Sequence, residues 1–172
     1  MPHTAGAAPF RRAVIALNGG ATDPLVVRLA CQLGKPFDAE VIAIHVVEVD
    51  WTHDLAEDLA SHSEHASAVL DLAEGIAEKS RVRVQTELIQ ARDVGAALVD
   101  EATELGADLV ILGLAYRKKF GGDFAMGRTV PYVLQNAPCG VIVVREPIAS
   151  SEARGPQPET PVGAALGAAD RI

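Results

Sequence analysis

The feature that most restricts this chain is a regular alternation of short apolar runs with longer amphipathic stretches. Ala13 to Leu17, Glu40 to Val47, Leu109 to Gly113 and Gly140 to Val144 are nearly continuous Val, Ile, Leu and Ala. Runs of that length, with no polar face, fit strands of a parallel sheet covered on both sides. A fifth run, Arg81 to Ala91, alternates more strictly through Val82, Val84, Thr86 and Leu88, as a strand nearer a sheet edge would. Helical patterns separate these strands. Leu25, Val26, Leu29, Ala30 and Leu33 trace one buried face, with Thr22 or Asp23 as cap, Pro24 near the first position and Gly34 as the stop. A stretch from about Thr52 to Lys79 carries an inner stripe of Leu55, Leu59, His62, Ala66, Val69, Ala73 and Ile76. Asp93 caps a third helix through Val94, Ala97, Leu98, Ala102 and Leu105, ended by Gly106, and Thr129 to Asn136 forms a fourth.

Five strands alternating with four helices predict an α/β fold: an open five-stranded parallel sheet, Rossmann-like, with right-handed crossovers and helices on both faces. The domain is expected over residues 11–147. Residues 1–10 read as a flexible leader. Residues 148–172 are Ala, Gly, Pro, Ser and charge, with Pro156, Pro158 and Pro161 opposing regular structure, and read as a disordered tail. In such sheets ligands bind at the carboxyl ends of the strands, where the winding reverses. The chain crosses over after the third strand, so the first and fourth strands should flank that crevice.

Composition narrows the function. The 172 residues suit one domain, and 49% apolar content is enough for a core. A net charge of −8 argues against nucleic-acid partners, which require phosphate neutralisation. Cys31 and Cys139 are too few for a disulfide framework and read as reduced core residues. No stretch approaches the roughly 20 apolar residues that span a bilayer, and no hydrophobic signal region follows the N-terminus. No membrane insertion and a cytoplasmic location are expected.

Gly106 to Gly113, a loop, Met126-Gly127, Tyr132 to Cys139 and Val141 to Val144 resemble the C-terminal half of the universal stress protein family. Val94 to Gly106 matches the family's third helix. The resemblance runs over residues 11–146 and implies its adenine nucleotide alpha hydrolase-like version of the parallel sheet. It also implies an ATP or other adenine nucleotide site. The family's adenosine contacts carry over to Ala16, Leu17, Asn18 and Val46, and its phosphate contacts to Gly113, Gly127, Arg128 and Thr129. In the nucleotide-binding branch, the loop after strand four reads Gly, two residues, Gly, nine residues, then Gly with Ser or Thr. Glycine lets backbone approach phosphates, and the following helix N-terminus offers free N–H groups.

This chain departs from that pattern. Gly113 matches, but Tyr116 stands at the second Gly, and ten residues separate it from Gly127. Arg128 replaces the hydroxyl residue, with Thr129 one place later, and Asn18 replaces the family's usual Asp. Two readings are open. Tyr116 closes a lost site, or Arg117, Lys118, Lys119 and Arg128 rebuild it with charge. The loop from Leu114 to Met126 and the run from Gly127 to Tyr132 also resemble universal-stress-type cytoplasmic tails of amino-acid and cation transporters. This resemblance makes a transporter or signalling protein an expected partner.

Weaker signals have blander explanations. Asn18 to Asp23 is faintly similar to the pyrophosphate-releasing loop of adenylating enzymes, but a strand-ending turn accounts for it. His62 and His65 have metal-like spacing with no third ligand, beside a solvated face. His45, inside an apolar strand, reads as a packed core histidine. No Ser, Cys or His pairing points to covalent catalysis, so no catalytic residue is assigned. The last strand is apolar and expected at a sheet edge, which invites a two-fold homodimer through Val141 to Val144.

Overall fold

The computed structural model describes residues 7–51, 59–116 and 125–147, with only the helical backbone described over 59–63. The expected tail, most of the leader, His62 and the Arg117-Lys118-Lys119 run lie outside the described residues. The elements run β1 (Arg12–Leu17), α1 (Asp23–Gly34), β2 (Glu40–Glu48), α2 (Leu59–Ser80), β3 (Val84–Ala91), α3 (Val94–Glu104), β4 (Leu109–Leu114), α4 (Thr129–Asn136) and β5 (Gly140–Arg145). All five strands are parallel, in the order β3-β2-β1-β4-β5. The sheet is the one that the alternation of patterns predicts. No helix among the described residues is long and apolar enough to cross a membrane.

Side chains on a strand alternate between faces, so a strand covered on both sides must be apolar throughout. In β1, Ala13, Ile15 and Leu17 join Val27, Ala30, Val69 and Ala73 in the core beneath α1 and α2. Val14 faces the other way, packing with Ile42, Val110, Leu98 and Val133 beneath α3 and α4. Each fully buried Val, Leu or Ile contributes about 1.5–3 kcal/mol to this assembly. β3 and β5 are the two edges, and the alternation expected in β3 breaks partway: Val84 and Thr86 are half-buried, but Leu88 is exposed and Ile89 packs on the core in its place.

Four local readings are corrected. The buried face of α1 centres on Val26, Val27, Ala30 and Cys31, whereas Leu25 is exposed. α1 does end at Gly34, but not in a left-handed cap: a 3-10 turn over Lys35–Phe37 follows, and the left-handed residue is Asp38 with φ 53°. Space at Gly34 is tight, because a Cβ there would lie 3.1 Å from Phe10 Cζ and 3.3 Å from Ala39 Cβ. Phe10, at the end of the expected leader, is 2% exposed and belongs to the core. β3 begins at Val84 rather than Arg81, because Arg81 (φ 55°) closes α2. Its N–H donates to Glu78 O and that of Val82 to Ala77 O, which satisfies two of the helix's terminal carbonyls.

Other signals stand. Asp93 caps α3 by accepting the Ala96 N–H at 2.8 Å, and Gly106 ends that helix with φ 60°. Ala66, Val69, Ala73 and Ile76 form the buried stripe of α2. Cys31 is buried, Cys139 half-buried, and both are free thiols. Burial raises both thiol pKa values, so neither is poised as a thiolate.

Candidate functional site

The crevice begins where β1 ends. Beyond Leu17 the chain turns through Gly19, at φ 79°, and enters α1. The carboxylate of Asp23, 1% exposed, accepts the Gly19 N–H at 2.7 Å and the Asn18 N–H at 3.2 Å. Desolvation pushes the Asp23 carboxyl above its usual range, against the opposing pull of those N–H groups and of His45. The expectation that Thr22 or Asp23 caps α1 is therefore corrected. Thr22 occupies the cap position without a side-chain bond, and Asp23 braces the loop behind it. Asn18 completes the brace: its Oδ1 accepts the Gly20 N–H at 2.8 Å. A loop held by a buried carboxylate and its own Asn keeps its shape without a ligand.

Beneath the loop, His45 is buried, and its Nδ1 lies 2.9 Å from Leu17 O, a core histidine as expected. The His65 ring stands edge-on to it, with centroids 6.0 Å apart, and approaches Gly19. No group of three or more His, Cys, Asp or Glu able to hold a metal occurs among the described residues.

The opposite wall comes from β4 and α4. Gly113 packs against α1: a Cβ on it would lie 2.4 Å from Thr22 Oγ1. That crowding, rather than approach of a phosphate, fixes glycine at this position. Gly127 has φ 72° and opens the turn into α4, with no described residue within 4 Å of where a Cβ would stand. Six residues expected in the site (Ala16, Leu17, Asn18, Val46, Gly113 and Thr129) line one narrow slot of about 90 Å³. Val94 and Leu98 of α3 and Val130 of α4 close it with apolar side chains.

Two wider hollows flank the slot. One, about 390 Å³, lies between the Asn18–Thr22 loop and Ala115, Tyr116 and Glu146. The other, about 420 Å³, is lined by Glu48, Val49, Asp50, Trp51, Arg92 and Arg128. Asn18 is common to the slot and the first hollow, and Arg128 of the second hollow precedes Thr129 of the slot in sequence, so the three lie side by side along the carboxyl edge of the sheet as a trough of separate hollows. Tyr116 lines the trough rather than filling it: its N–H donates to Glu146 Oε2 at 3.0 Å, and Arg145 lies 5.4 Å over its ring.

Of the expected cationic cluster, Arg128 alone lies among the described residues. Arg117 lies outside the described residues. Arg128, at the cap position of α4, reaches to the end of β2, where its guanidinium meets Glu48 Oε1 at 3.0 Å. With side chains 82% and 49% exposed, this pair contributes about 0–1 kcal/mol and can be exchanged for another anion. Glu48, Glu146, Trp51 and Arg92 escape the sequence reading. Glu48 and Glu146 each close a strand at its carboxyl end, so the rule that located the crevice also reaches them. Trp51 is 81% exposed under the Arg92 guanidinium, 5.1 Å from its ring, a surface aromatic that no periodicity predicts.

Residues 9–145 match the universal stress protein family. A universal stress protein from Methanocaldococcus jannaschii is 28% identical over 147 residues, covering 80% of this chain and 84% of that protein. Among solved structures, the universal stress protein from Archaeoglobus fulgidus in complex with dAMP superposes with a TM-score of 0.61 at 18% identity, over 77% of this chain and 95% of that one. A universal stress family protein from Arabidopsis thaliana with AMP bound superposes with a TM-score of 0.59 at 12% identity, over 84% and 99%.

Proposed function

The chain belongs to the universal stress protein family, and from that premise we propose that its trough holds an adenine nucleotide as a regulatory ligand rather than a substrate. The observation that carries this reading is the convergence of Ala16, Leu17, Asn18, Val46, Gly113 and Thr129 on one apolar slot. Two proteins of the same fold hold dAMP and AMP. A base is a flat apolar body with polar edges, and an apolar slot with few polar groups suits it. Asn18 spends its Oδ1 on Gly20, leaving its Nδ2 donors for the ligand. The α4 N-terminus and the Thr129 hydroxyl offer donors to a phosphate. Arg128 reaches that phosphate by leaving Glu48.

The slot is narrow, so the base enters as α4 moves away from the braced loop after Leu17. Nothing in the trough combines a nucleophile with a base, and the reading assigns no turnover. Isothermal titration of the full chain with ATP and AMP tests it. Saturable binding that weakens about tenfold in Arg128→Ala is expected. Absence of heat at about 1 mM nucleotide would reject the site.

A second reading draws on Glu48 and Glu146. Their carboxylates flank the trough where phosphates would lie, and Tyr116 is anchored to one of them. In that reading the domain binds no nucleotide and docks on a transporter or signalling protein. For assembly, β5 is an edge strand of half-buried valines and isoleucine, suited to a two-fold homodimer in the cytoplasm. Sedimentation equilibrium yielding a monomer mass would remove that part.

A further inference from the structure

A further sizeable cleft among the described residues lies apart from the trough. It lies at the other pole, along the amino edge of the sheet, with a volume of about 500 Å³. Three cations line it: Lys35 after α1, and Arg81 and Arg83 between α2 and β3. Such a concentration stands out in a chain of net charge −8. The nearby carboxylate of Glu40 is already committed. It holds Arg12 Nε at 2.6 Å and accepts Gln85 Nε2 at 2.8 Å, so it does not neutralise the cleft. Lys35 gives one of its three donors to Ser80 O at 2.8 Å and keeps two. Arg81 and Arg83 are exposed and make no ion pair among the described residues. Asp38 is the one remaining acid on the cleft wall.

Backbone conformation adds an independent observation. Only two non-glycine residues among the described ones have positive φ, Asp38 and Arg81, and both line this cleft. Each sits at the left-handed residue that ends a helix, where glycine is the unstrained choice. α3 uses Gly106 at the equivalent place. Side chains held in a costly conformation at two adjacent caps mark a position where the side chain matters more than the local stability.

We infer that this pole is a second binding site, for a small polyanion carrying phosphate or carboxylate groups, gripped by Arg81 and Arg83 with Lys35 beside them. Guanidinium forks match planar or tetrahedral oxyanions in two-point contacts, and two arginines flanking Val82 present two such forks. Val82 packs on the core beneath, which fixes the segment carrying both. The site is independent of the nucleotide reading, because it shares no residue with the trough.

The test is a titration of the ¹⁵N-labelled full chain with inorganic pyrophosphate, and separately with citrate, at constant ionic strength. Backbone amides of Lys35, of residues 37–40 and of residues 81–85 are expected to shift saturably with at least one anion; which one identifies the group recognised. In Arg81→Gln/Arg83→Gln the same shifts require about tenfold or more anion, while any shifts at Gly113 and Thr129 are unchanged. Arg81→Gly separates binding from folding. It relieves the left-handed strain, so its Tm rises, yet it loses affinity. Shifts that grow linearly with both anions, or an Arg81→Gly variant that binds as wild type, would overturn the assignment.

Discussion

Gly113→Ala provides the sharpest test of how the crevice is built. A strand accommodates alanine without backbone strain, so propensity alone predicts a gain of about 0.5–1 kcal/mol. The structure predicts the opposite sign. The new Cβ would stand 2.4 Å from Thr22 Oγ1, 3.0 Å from Thr22 Cβ and 3.5 Å from Val26 Cγ2. Ordinary carbon contacts begin near 3.5 Å, so relief requires about 1 Å of movement. Thr22 is poorly placed to give it. It is 3% exposed, and its carbonyl accepts the Leu25 and Val26 N–H groups, each at 3.0 Å, so shifting it displaces the first turn of α1. Overpacking of this kind costs about 1–3 kcal/mol. For a domain of this size that is a fall in Tm of about 3–5 °C per kcal/mol. Thr22→Ala removes the atom at 2.4 Å and leaves the one at 3.0 Å, so it relieves most of the clash. Urea denaturation of wild type, both single variants and the double variant should give a double-mutant cycle. The double variant should be more stable than the sum of its parts predicts by about 1 kcal/mol. Additive effects, or Gly113→Ala as stable as wild type, would show that Gly113 is free of Thr22 and that ligand approach alone requires it.

Three further outcomes follow from the same geometry. Trp51 is the single tryptophan of the chain and lines the hollow that holds Arg128 and Glu48, so nucleotide binding should change its emission saturably. Unchanged fluorescence under conditions where calorimetry detects binding would place the ligand away from that hollow. Asp23 has a folded pKa above its unfolded 3.8, so the native state binds more protons between those values and loses stability as pH rises through them. The ionised carboxylate carries that cost at pH 7, and protonation relieves it below the folded pKa. Asp23→Asn abolishes the titration, so its stability relative to wild type should be more favourable at pH 7 than at about pH 4.5. Chemical denaturation at both values measures this, and a difference of the reverse sign would contradict the raised pKa. Gly34→Ala should fall short of the gain of about 1 kcal/mol that alanine brings to a helix, because contact with Phe10 opposes it, and Phe10→Leu should make the same substitution more favourable.

Period and length carried most of the architecture, because a strand covered on both faces has to be apolar at every position. Ala13 to Leu17 and Leu109 to Leu112 meet that demand, and pairing Ile15 with Ala43 and Ile111 follows from it. Charged caps were less legible. Arg81 and Asp38 end helices where the rule anticipates glycine, so the pattern placed Arg81 in a strand and put the left-handed cap at Gly34. In the site, backbone position was readable and side-chain partnership was not. Asn18, Gly113 and Thr129 share the slot because the strand order requires it, whereas the Glu48 contact of Arg128 joins residues 80 apart in sequence. Charge counting along one loop cannot see a carboxylate arriving from another strand.

The glycines of the trough divide by the reason each is present, and that division bears on the ligand. Gly113 is required by Thr22, and Gly19 is confined both by its φ of 79° and by His65 Nε2, 2.7 Å from where its Cβ would stand. The empty fold therefore accounts for both. Gly127 is different: its φ of 72° disfavours other residues, but no described residue comes within 4 Å of the position a side chain would take. Crowding by the described residues does not keep that space clear. A ligand approaching the α4 N-terminus would pass over it, beside Thr129 and the end of the slot. Of the three, Gly127 is the one whose replacement by alanine should weaken nucleotide binding beyond its backbone cost of about 1 kcal/mol. If Gly127→Ala lowered stability by that amount while leaving affinity intact, the phosphate would have to lie elsewhere in the trough.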